Sequence, residues 1–513
     1  MLSQSFSLDP GSVSLSQLRA VLETDRTIEI SESAKGGVDR GRATVERLLT
    51  EDRAIYGVNT GFGSLANVVI DPENLAELQR NLVLSHSVGT GDLLDDRTVR
   101  LILVMKACAM ARGFSGVRWE LIDMLLRMVN HGALPAIPGK GSVGASGDLA
   151  PLAHMASALI GHGRIRFRGE LMPAREGLAA AGLQPLELGP KEGVALINGT
   201  QVSTALALQG VFHAEDLLHS GVVTGALALD ACKGSDAPYD DRIQAARGHA
   251  GQRDVADAAR ILLAGSAIRE SHRDCKRVQD PYCLRCQPQV TGACLDQLRA
   301  AANTLCIEAN GVTDNPLVFP ETGEVVSGGN FHAEPVAFAA DGIALAIAEL
   351  GSISERRQAL MVDANMSGLP PFLTENSGLH SGFMITQVTS AALVAENKNL
   401  AVPSSVDSIP TSANQEDHVS MATYAARRLL QMVDNLADII AIEWMTAARG
   451  VEFHDPLATS PSLTRAVECL RDVVPPHEGD RFLADDIANA KARLLAGDLR
   501  EICPVLTESL RTG

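Results

Sequence analysis

The 513-residue sequence contains few aromatic residues, only 4% of the chain, although hydrophobic residues make up 46%. A core with so few large rings has to be built from Ala, Leu, Val and Ile. This composition favours closely packed helices over a β-sandwich. The length exceeds what one hydrophobic core usually accommodates, so we expect either several domains or one large helical body.

The sequence also lacks Lys- and Arg-rich runs, and its formal net charge is -18. This acidic balance disfavours nucleic acids and anionic membranes as partners. Residues 1–10 lack the basic and apolar regions of a signal peptide, and no uninterrupted apolar run approaches the ~20 residues that span a bilayer. The nine cysteines are an odd number without framework spacing, which indicates reduced thiols and a cytoplasmic protein.

Helical periodicity is visible in many parts of the chain. The segments are 95–113, 118–130, 200–232, 288–310, 333–362 and 418–451. An alternating stretch over 164–172 predicts a small hairpin that turns near Gly169. We therefore predict a mainly α fold, with a smaller mixed N-terminal part over 1–195 and a long-helix bundle over 196–513.

The stretch GSVGASGDLAPLAHMA, over 141–156, is unusually rich in small residues. Asp148 is a good N-cap and Pro151 fits only a first helical turn, so a helix should begin just after Gly147. Ala145, Ser146 and Gly147 would then lie at a helix N-terminus, where the helix dipole stabilises negative charge. Taken alone, the stretch also fits an ordinary glycine loop that caps a helix.

A second informative stretch is VQDPYCLRCQPQV, over 278–290. Asp280 and Pro281 predict the N-cap and the first residue of a helix, which puts Tyr282 and Arg285 on one helical face. An arginine near a helix N-terminus is suited to bind a carboxylate, in bidentate fashion where the geometry allows.

The same stretch contains a Cys-x-x-Cys pair, Cys283 and Cys286, and His272 and Cys275 lie nearby. This grouping raises the alternative of a zinc or redox site. A single pair without a second one is weak evidence for zinc, and we predict buried thiols and no metal.

The stretch over 141–156 resembles the signature of the histidine/phenylalanine ammonia-lyase family, and further family blocks extend from about residue 56 to residue 421. The resemblance implies that the Gly147 nitrogen joins the Ala145 carbonyl carbon and that Ser146 becomes 2,3-didehydroalanine. The product of this autocatalytic cyclisation is 4-methylidene-imidazol-5-one, and no external cofactor is implied. Such a group supplies a carbon electrophile, which ordinary side chains do not offer.

The resemblance also implies roles for residues outside this loop. Tyr56 in IYGVNTGFG, Tyr282, and Glu416 in SANQEDHVSM are the candidates for acid/base catalysis. Which of the three removes the β-proton of the substrate stays open.

Five further residues are expected to bind the substrate or the prosthetic group. His86 in LVLSHSVG is expected to contact the substrate ring, and Asn198 in LINGT either the substrate carboxylate or the prosthetic group. Arg285 is expected to bind the substrate carboxylate, with Gln279 beside it. Phe331 in SGGNFHAEP is expected to lie beside the prosthetic group.

The expected substrate follows from Ser85, His86 and Glu416. Relatives that act on phenylalanine or tyrosine commonly have Phe-Leu or His-Leu at the first two positions and Gln at the third. An imidazole ring can pair with these polar side chains, whereas a phenyl ring would leave them unpaired. We therefore expect deamination of L-histidine to urocanate and ammonia, a step of histidine degradation.

Two alternatives stay open from the sequence. One is an ammonia-lyase or aminomutase acting on tyrosine or phenylalanine, and the other is a non-catalytic helical scaffold. Val402 also departs from the family pattern, since bacterial relatives often have His there. The resemblance further implies a fumarase/aspartase-like helical architecture and a homotetramer whose active sites draw residues from more than one subunit.

Overall fold

The computed structural model describes residues 5–51, 58–61, 70–273 and 278–503. The fold is mainly helical, as predicted, and its strands are short. The strands are β1 (Phe6–Leu8), β2 (Ile28–Ile30), β3 (Thr90–Leu93), β4 (Ala133–Pro135), β5 (Pro138–Lys140), β6 (Arg164–Phe167), β7 (Glu170–Pro173), β8 (Leu317–Phe319) and β9 (Glu324–Val326).

The helices before residue 200 are short or of moderate length. They are α1 (Leu15–Glu23), α2 (Lys35–Leu49), α3 (Leu75–His86), α4 (Asp96–Ala111), α5 (Trp119–His131), α6 (Ala150–Leu159), α7 (Ala174–Ala180) and α8 (Glu192–Ile197). The predicted hairpin is confirmed as β6 and β7, which pair antiparallel, and β4 adds a third strand to this sheet. The division predicted at residue 195 falls inside α8 and stays a prediction.

The later helices include the longest in the protein. They are α9 (Gln201–Ala231), α10 (Asp241–Arg247), α11 (Ala250–Leu263), α12 (Ala267–Glu270), α13 (Tyr282–Arg285), α14 (Gln287–Ala309), α15 (Glu334–Val362), α16 (Ala364–Ser367), α17 (Met384–Leu400), α18 (Ala422–Glu452), α19 (Pro461–Arg471), α20 (Leu483–Ala496) and α21 (Asp498–Ile502). Helices α9, α14, α15 and α18 match the four long predicted segments.

The long helices pack side by side into a bundle. Helix α9 runs along α18 and α15, and α14 packs against α9 and α15. The buried side chains are mainly Ala, Leu, Val and Ile, which confirms the core composition that we predicted. Helix α18 begins four residues later than predicted, because the chain turns at Met421, whose φ is 56° and whose N–H donates to the Val143 oxygen at 2.8 Å.

Helix α15 has the length and composition of a membrane-spanning helix, although Asp341 and Glu349 interrupt its apolar sequence. However, 78% of its most apolar stretch is buried within the protein. Burial of this kind is typical of a helix in a protein core.

A buried ion pair links α15 to α18. The guanidinium of Arg357 donates to both carboxylate oxygens of Glu443, and both side chains are almost fully buried. The hydroxyls of Thr224 on α9 and Ser354 on α15 also donate to Glu443, at 2.8 and 2.7 Å. The carboxylate therefore has the hydrogen bonds that a charge needs when it is removed from water.

Replacing Glu443 with Gln should destabilise the protein strongly, because the substitution leaves the Arg357 charge buried without its counterion. We expect the free energy of unfolding to fall by about 3–5 kcal/mol. Urea unfolding followed by circular dichroism at fixed protein concentration measures this change. The control is Asp123→Asn, which breaks the exposed pair with Arg127 and should change stability by about 1 kcal/mol or less. Equal effects of the two substitutions would contradict the interpretation.

Candidate active site

Residues from separate sequence motifs line one cavity of about 930 Å³. They are Ser85, His86, Ala145, Ser146, Asn198, Phe331 and Glu416. They come from the end of α3, the loop between β5 and α6, the end of α8, and the loops that precede α15 and α18. The fold thus brings together residues that lie more than 300 positions apart in the chain.

The loop between β5 and α6 is held by contact between two glycine residues. Gly147 (φ 76°) and Gly199 (φ 138°) form an isolated parallel bridge, and the N–H of Asp148 donates to the Gly199 oxygen at 2.8 Å. A Cβ atom on Gly147 would lie 2.3 Å from that oxygen. Only glycine is compatible with both the positive φ and this close approach.

Asp148 anchors the loop to the long helices. The sequence predicted that Asp148 caps the following helix. This prediction is wrong, because α6 begins at Ala150 without a side-chain cap. Its carboxylate instead accepts hydrogen bonds from the N–H groups of Val202 and Ser203, at 2.7 and 3.2 Å, in the first turn of α9. The Thr423 hydroxyl on α18 donates to it at 3.0 Å. Burial raises the pKa of the Asp148 carboxyl, and these hydrogen bonds oppose the rise.

Ser146 is held on two sides. Its hydroxyl donates to Glu416 Oε1 at 2.5 Å, and its backbone oxygen accepts from Asn198 Nδ2 at 2.7 Å. The other oxygen of Glu416 accepts from the Thr411 hydroxyl at 2.5 Å, which fixes the carboxylate. Glu416 is half-buried.

His86 occupies the last turn of α3, on another wall of the cavity. Its Nδ1 lies 2.8 Å from the backbone oxygen of Leu82 and 3.1 Å from the Ser85 hydroxyl. When Nδ1 donates to the backbone oxygen, the other ring nitrogen, Nε2, is an acceptor. The half-buried ring can then accept a hydrogen bond from a bound molecule.

Several polar residues of the cavity were not predicted from the sequence. His332 and His418 line it, and their rings stack with centroids 5.8 Å apart. Together with Glu334 they bring possible metal-ligating atoms within 4.8 Å of one another, a grouping that could hold a cation. The signal was available, because His332 directly follows Phe331 and His418 lies two residues after Glu416.

Tyr282, Arg285 and Gln279 do not line this cavity. They lie near the C-terminal end of α9, where the Asp280 carboxylate accepts a hydrogen bond from the N–H of Ser235 at 2.6 Å. The prediction that Asp280 caps α13 is wrong, because that helix has no side-chain cap. The 31 residues of α9 span about 46 Å at about 1.5 Å per residue. A single chain therefore keeps these three residues away from Ser146.

The helical face predicted for Tyr282 and Arg285 is confirmed. The Arg285 guanidinium lies 4.7 Å from the centroid of the Tyr282 ring, and Tyr282 is 71% exposed. The neighbouring Cys283 has a free thiol, and burial raises its pKa, which disfavours the thiolate that binds zinc. Tyr56 and Cys275 lie outside the described residues.

The sequence matches the aromatic amino acid lyase family over residues 13–472. Histidine ammonia-lyase of Paracidovorax citrulli (strain AAC00-1) is 60% identical over 480 residues, which cover 94% of each chain. The crystal structure of histidine ammonia-lyase from Trypanosoma cruzi is similar with a TM-score of 0.91 and 37% identity, covering 99% of this chain and 97% of that one.

Tyrosine aminomutase from Streptomyces globisporus has the same fold, with a TM-score of 0.92, 35% identity and coverage of 97% of this chain and 98% of that one. The family match covers most of the sequence, and the relatives are similar along almost their whole length. The chain therefore belongs to the aromatic amino acid lyase family.

Proposed function

We propose that this protein converts L-histidine to urocanate and ammonia. The observation that carries the proposal is the cavity in which Ala145 and Ser146 face Glu416, Asn198 and His86. Relatives named histidine ammonia-lyase, which are 54–60% identical to this chain over nearly their full length, support this substrate.

The Ala145-Ser146-Gly147 loop is proposed to become 4-methylidene-imidazol-5-one. Three features of the described chain fit this group: Gly147 leaves no room for a side chain, Ser146 faces the cavity, and the Asn198 amide binds the Ser146 oxygen. When formed, the group supplies the carbon electrophile that makes the amino group of an amino acid a better leaving group. Asn198 would hold the carbonyl oxygen of that group.

Glu416 and His86 would handle the substrate itself. The Glu416 carboxylate is fixed by Thr411 and reaches Ser146, so it is placed to accept a proton or to pair with the substrate ring next to that residue. His86 would offer an acceptor to an imidazole N–H. A phenyl or phenol ring would leave part of this polar lining unpaired, which disfavours the tyrosine and phenylalanine alternatives.

The complete site is proposed to form between subunits of a homotetramer. Tyr282, Arg285 and Gln279 cannot reach Ser146 within one chain, so a neighbouring subunit would supply them. Large apolar side chains exposed on α15 and α17 support self-association. They include Phe338 and Leu345 on α15 and Ile385 and Val388 on α17, with 52–62% of each residue exposed.

A cytoplasmic location is proposed as well. Reduced thiols such as those of Cys283 and Cys286 are typical of that compartment. The net charge of -18 argues against nucleic acid and anionic membrane partners.

The first test is product formation from L-histidine, L-tyrosine and L-phenylalanine in separate assays. We expect urocanate from histidine, seen by its ultraviolet absorbance and by chromatography, and no cinnamate or coumarate. Mass spectrometry of the peptide that contains residues 145–147 should show the loss of two water molecules. Ser146→Ala should abolish both the loss and the activity. An amino acid product with a shifted amino group would instead identify an aminomutase.

A second test addresses Glu416. If its carboxylate moves a proton during the reaction, Glu416→Gln should lower kcat about 10²–10⁴-fold with a smaller change in KM. Steady-state kinetics measures this, with Glu170→Gln on the exposed hairpin strand β7 as the control. A fall in kcat/KM that comes from KM alone would mean that Glu416 binds the ring and transfers no proton.

A third test uses mixed oligomers. Ser146→Ala and Tyr282→Phe chains should each be inactive alone and regain activity when co-expressed, because some sites then combine an intact cavity with an intact Tyr282. Ser146→Ala co-expressed with Asn198→Ala is the control. Both of these changes affect the cavity of their own chain, so every site stays defective. No recovery in the first mixture would contradict a site shared between subunits.

A further inference from the structure

Lys106 is a buried cation behind the loop that carries Ser146. Its side chain extends from α4, and only 1% of the residue is exposed. The ammonium donates to the backbone oxygen of Asn198 at 2.6 Å and to Gln201 Oε1 at 3.4 Å. Both acceptors are neutral oxygens. A buried charge held in this way costs folding free energy that an apolar side chain would not, which points to a role other than packing.

The charged groups around Lys106 are engaged with other partners. Asp314 forms a 3.0 Å ion pair with Lys191, which precedes α8, and Asp148 accepts hydrogen bonds from α9 and α18. Burial lowers the pKa of Lys106 to about 8, Lys191 adds to the decrease, and Asp314 and Asp148 oppose it.

Asn198 connects Lys106 to the loop. The backbone oxygen of Asn198 binds the ammonium, while its side-chain amide donates to the Ser146 oxygen at 2.7 Å. The next residue, Gly199, bridges Gly147. The ammonium thus binds the residue that makes one of the two contacts and adjoins the residue that makes the other.

On the basis of the proposed function, we propose that Lys106 is a positioning residue for the Ala145-Ser146-Gly147 loop. Its ammonium fixes the turn at Asn198 and Gly199, and this turn holds the loop during cyclisation and during turnover. Lys106 acts through Asn198 and is not itself a group that reacts.

The cyclisation needs no oxidant or other reactant. A bond forms between the Gly147 nitrogen and the Ala145 carbonyl carbon. One water leaves with the Ala145 oxygen and the amide hydrogens of Ser146 and Gly147. The second leaves with the Ser146 hydroxyl and its Cα hydrogen. The geometry of the loop is therefore what the protein has to provide.

The test replaces Lys106 with Met, Gln or Arg and measures the cyclised fraction of the peptide containing residues 145–147 by mass spectrometry. We expect a roughly tenfold or larger loss of cyclised peptide in Lys106→Met, since small misplacements are costly in such reactions. Circular dichroism and a cooperative thermal transition should show that this variant is folded. Lys106→Arg should recover most of the cyclisation, because it keeps the charge. A folded Met variant with wild-type cyclisation would overturn the proposal.

Lys191→Met is the matched control, because it removes a buried lysine of the same network that binds Asp314 and not Asn198. We expect it to be less stable yet cyclised. A linear loop in this variant would mean that any loss of buried charge blocks cyclisation, which would refute a specific role of Lys106. If Lys106→Met does not fold, Lys106→Gln tests the proposal instead, because Gln keeps a hydrogen-bond donor but carries no charge. We expect the loop of this variant to stay linear as well.

A pH profile gives a second readout. The pKa of Lys106 in the folded protein lies below its ordinary value, so the unfolded chain holds the proton more strongly. The contribution of Lys106 to the free energy of unfolding therefore rises as the pH increases above about 8. Turnover that needs the ammonium should fall over the same interval. In Lys106→Arg this alkaline fall should move to higher pH, and an unchanged profile would overturn the role in turnover.

The two proposals fail in different ways. A linear peptide in the wild-type protein would refute the proposed function itself. A cyclised peptide in both the wild-type protein and the folded Lys106→Met variant would refute only the role of Lys106.

Discussion

The contact between Gly147 and Gly199 is the constraint on which the candidate site depends. It brings the loop after β5 against the start of α9, and a Cβ atom on Gly147 would collide with the Gly199 oxygen. Asp148 ties the loop to the first turn of α9, and Asn198 at the end of α8 holds the Ser146 oxygen. Gly147 and Gly199 are thus needed because they allow two backbone segments to approach closely, and not because they make the loop flexible.

The length of α9 has a second consequence for the site. The N–H groups of its first turn bind the Asp148 carboxylate, whereas the segment with Tyr282 and Arg285 lies near its other end. A helix this long separates the two groups within a chain. This separation and the apolar side chains exposed on α15 and α17 are the observations behind the proposed site shared between subunits.

The sequence predicted the parts of the fold that depend on local pattern. The long Ala/Leu-rich segments appear as α9, α14, α15 and α18, and the alternating stretch appears as a hairpin. The predictions that Asp148 and Asp280 cap the helices after them were wrong, because a side chain with good capping chemistry can instead bind a helix or loop distant in sequence. Lys106 was missed for the same reason, since its partners are set by tertiary packing.

The residues that fix the loop are different from those that line the cavity wall, so enzymes that share the bundle can differ in substrate. Gly147, Gly199 and Asp148 are fixed by backbone contacts, so changing them would disturb the loop itself. His86 lies at the end of α3 and Glu416 in a loop before α18, where a substitution alters the cavity wall and leaves the bundle intact. Tyrosine aminomutase has this fold at 35% identity. Under the proposed function, we expect substrate choice to depend on the few polar side chains of the wall, which here would suit an imidazole ring.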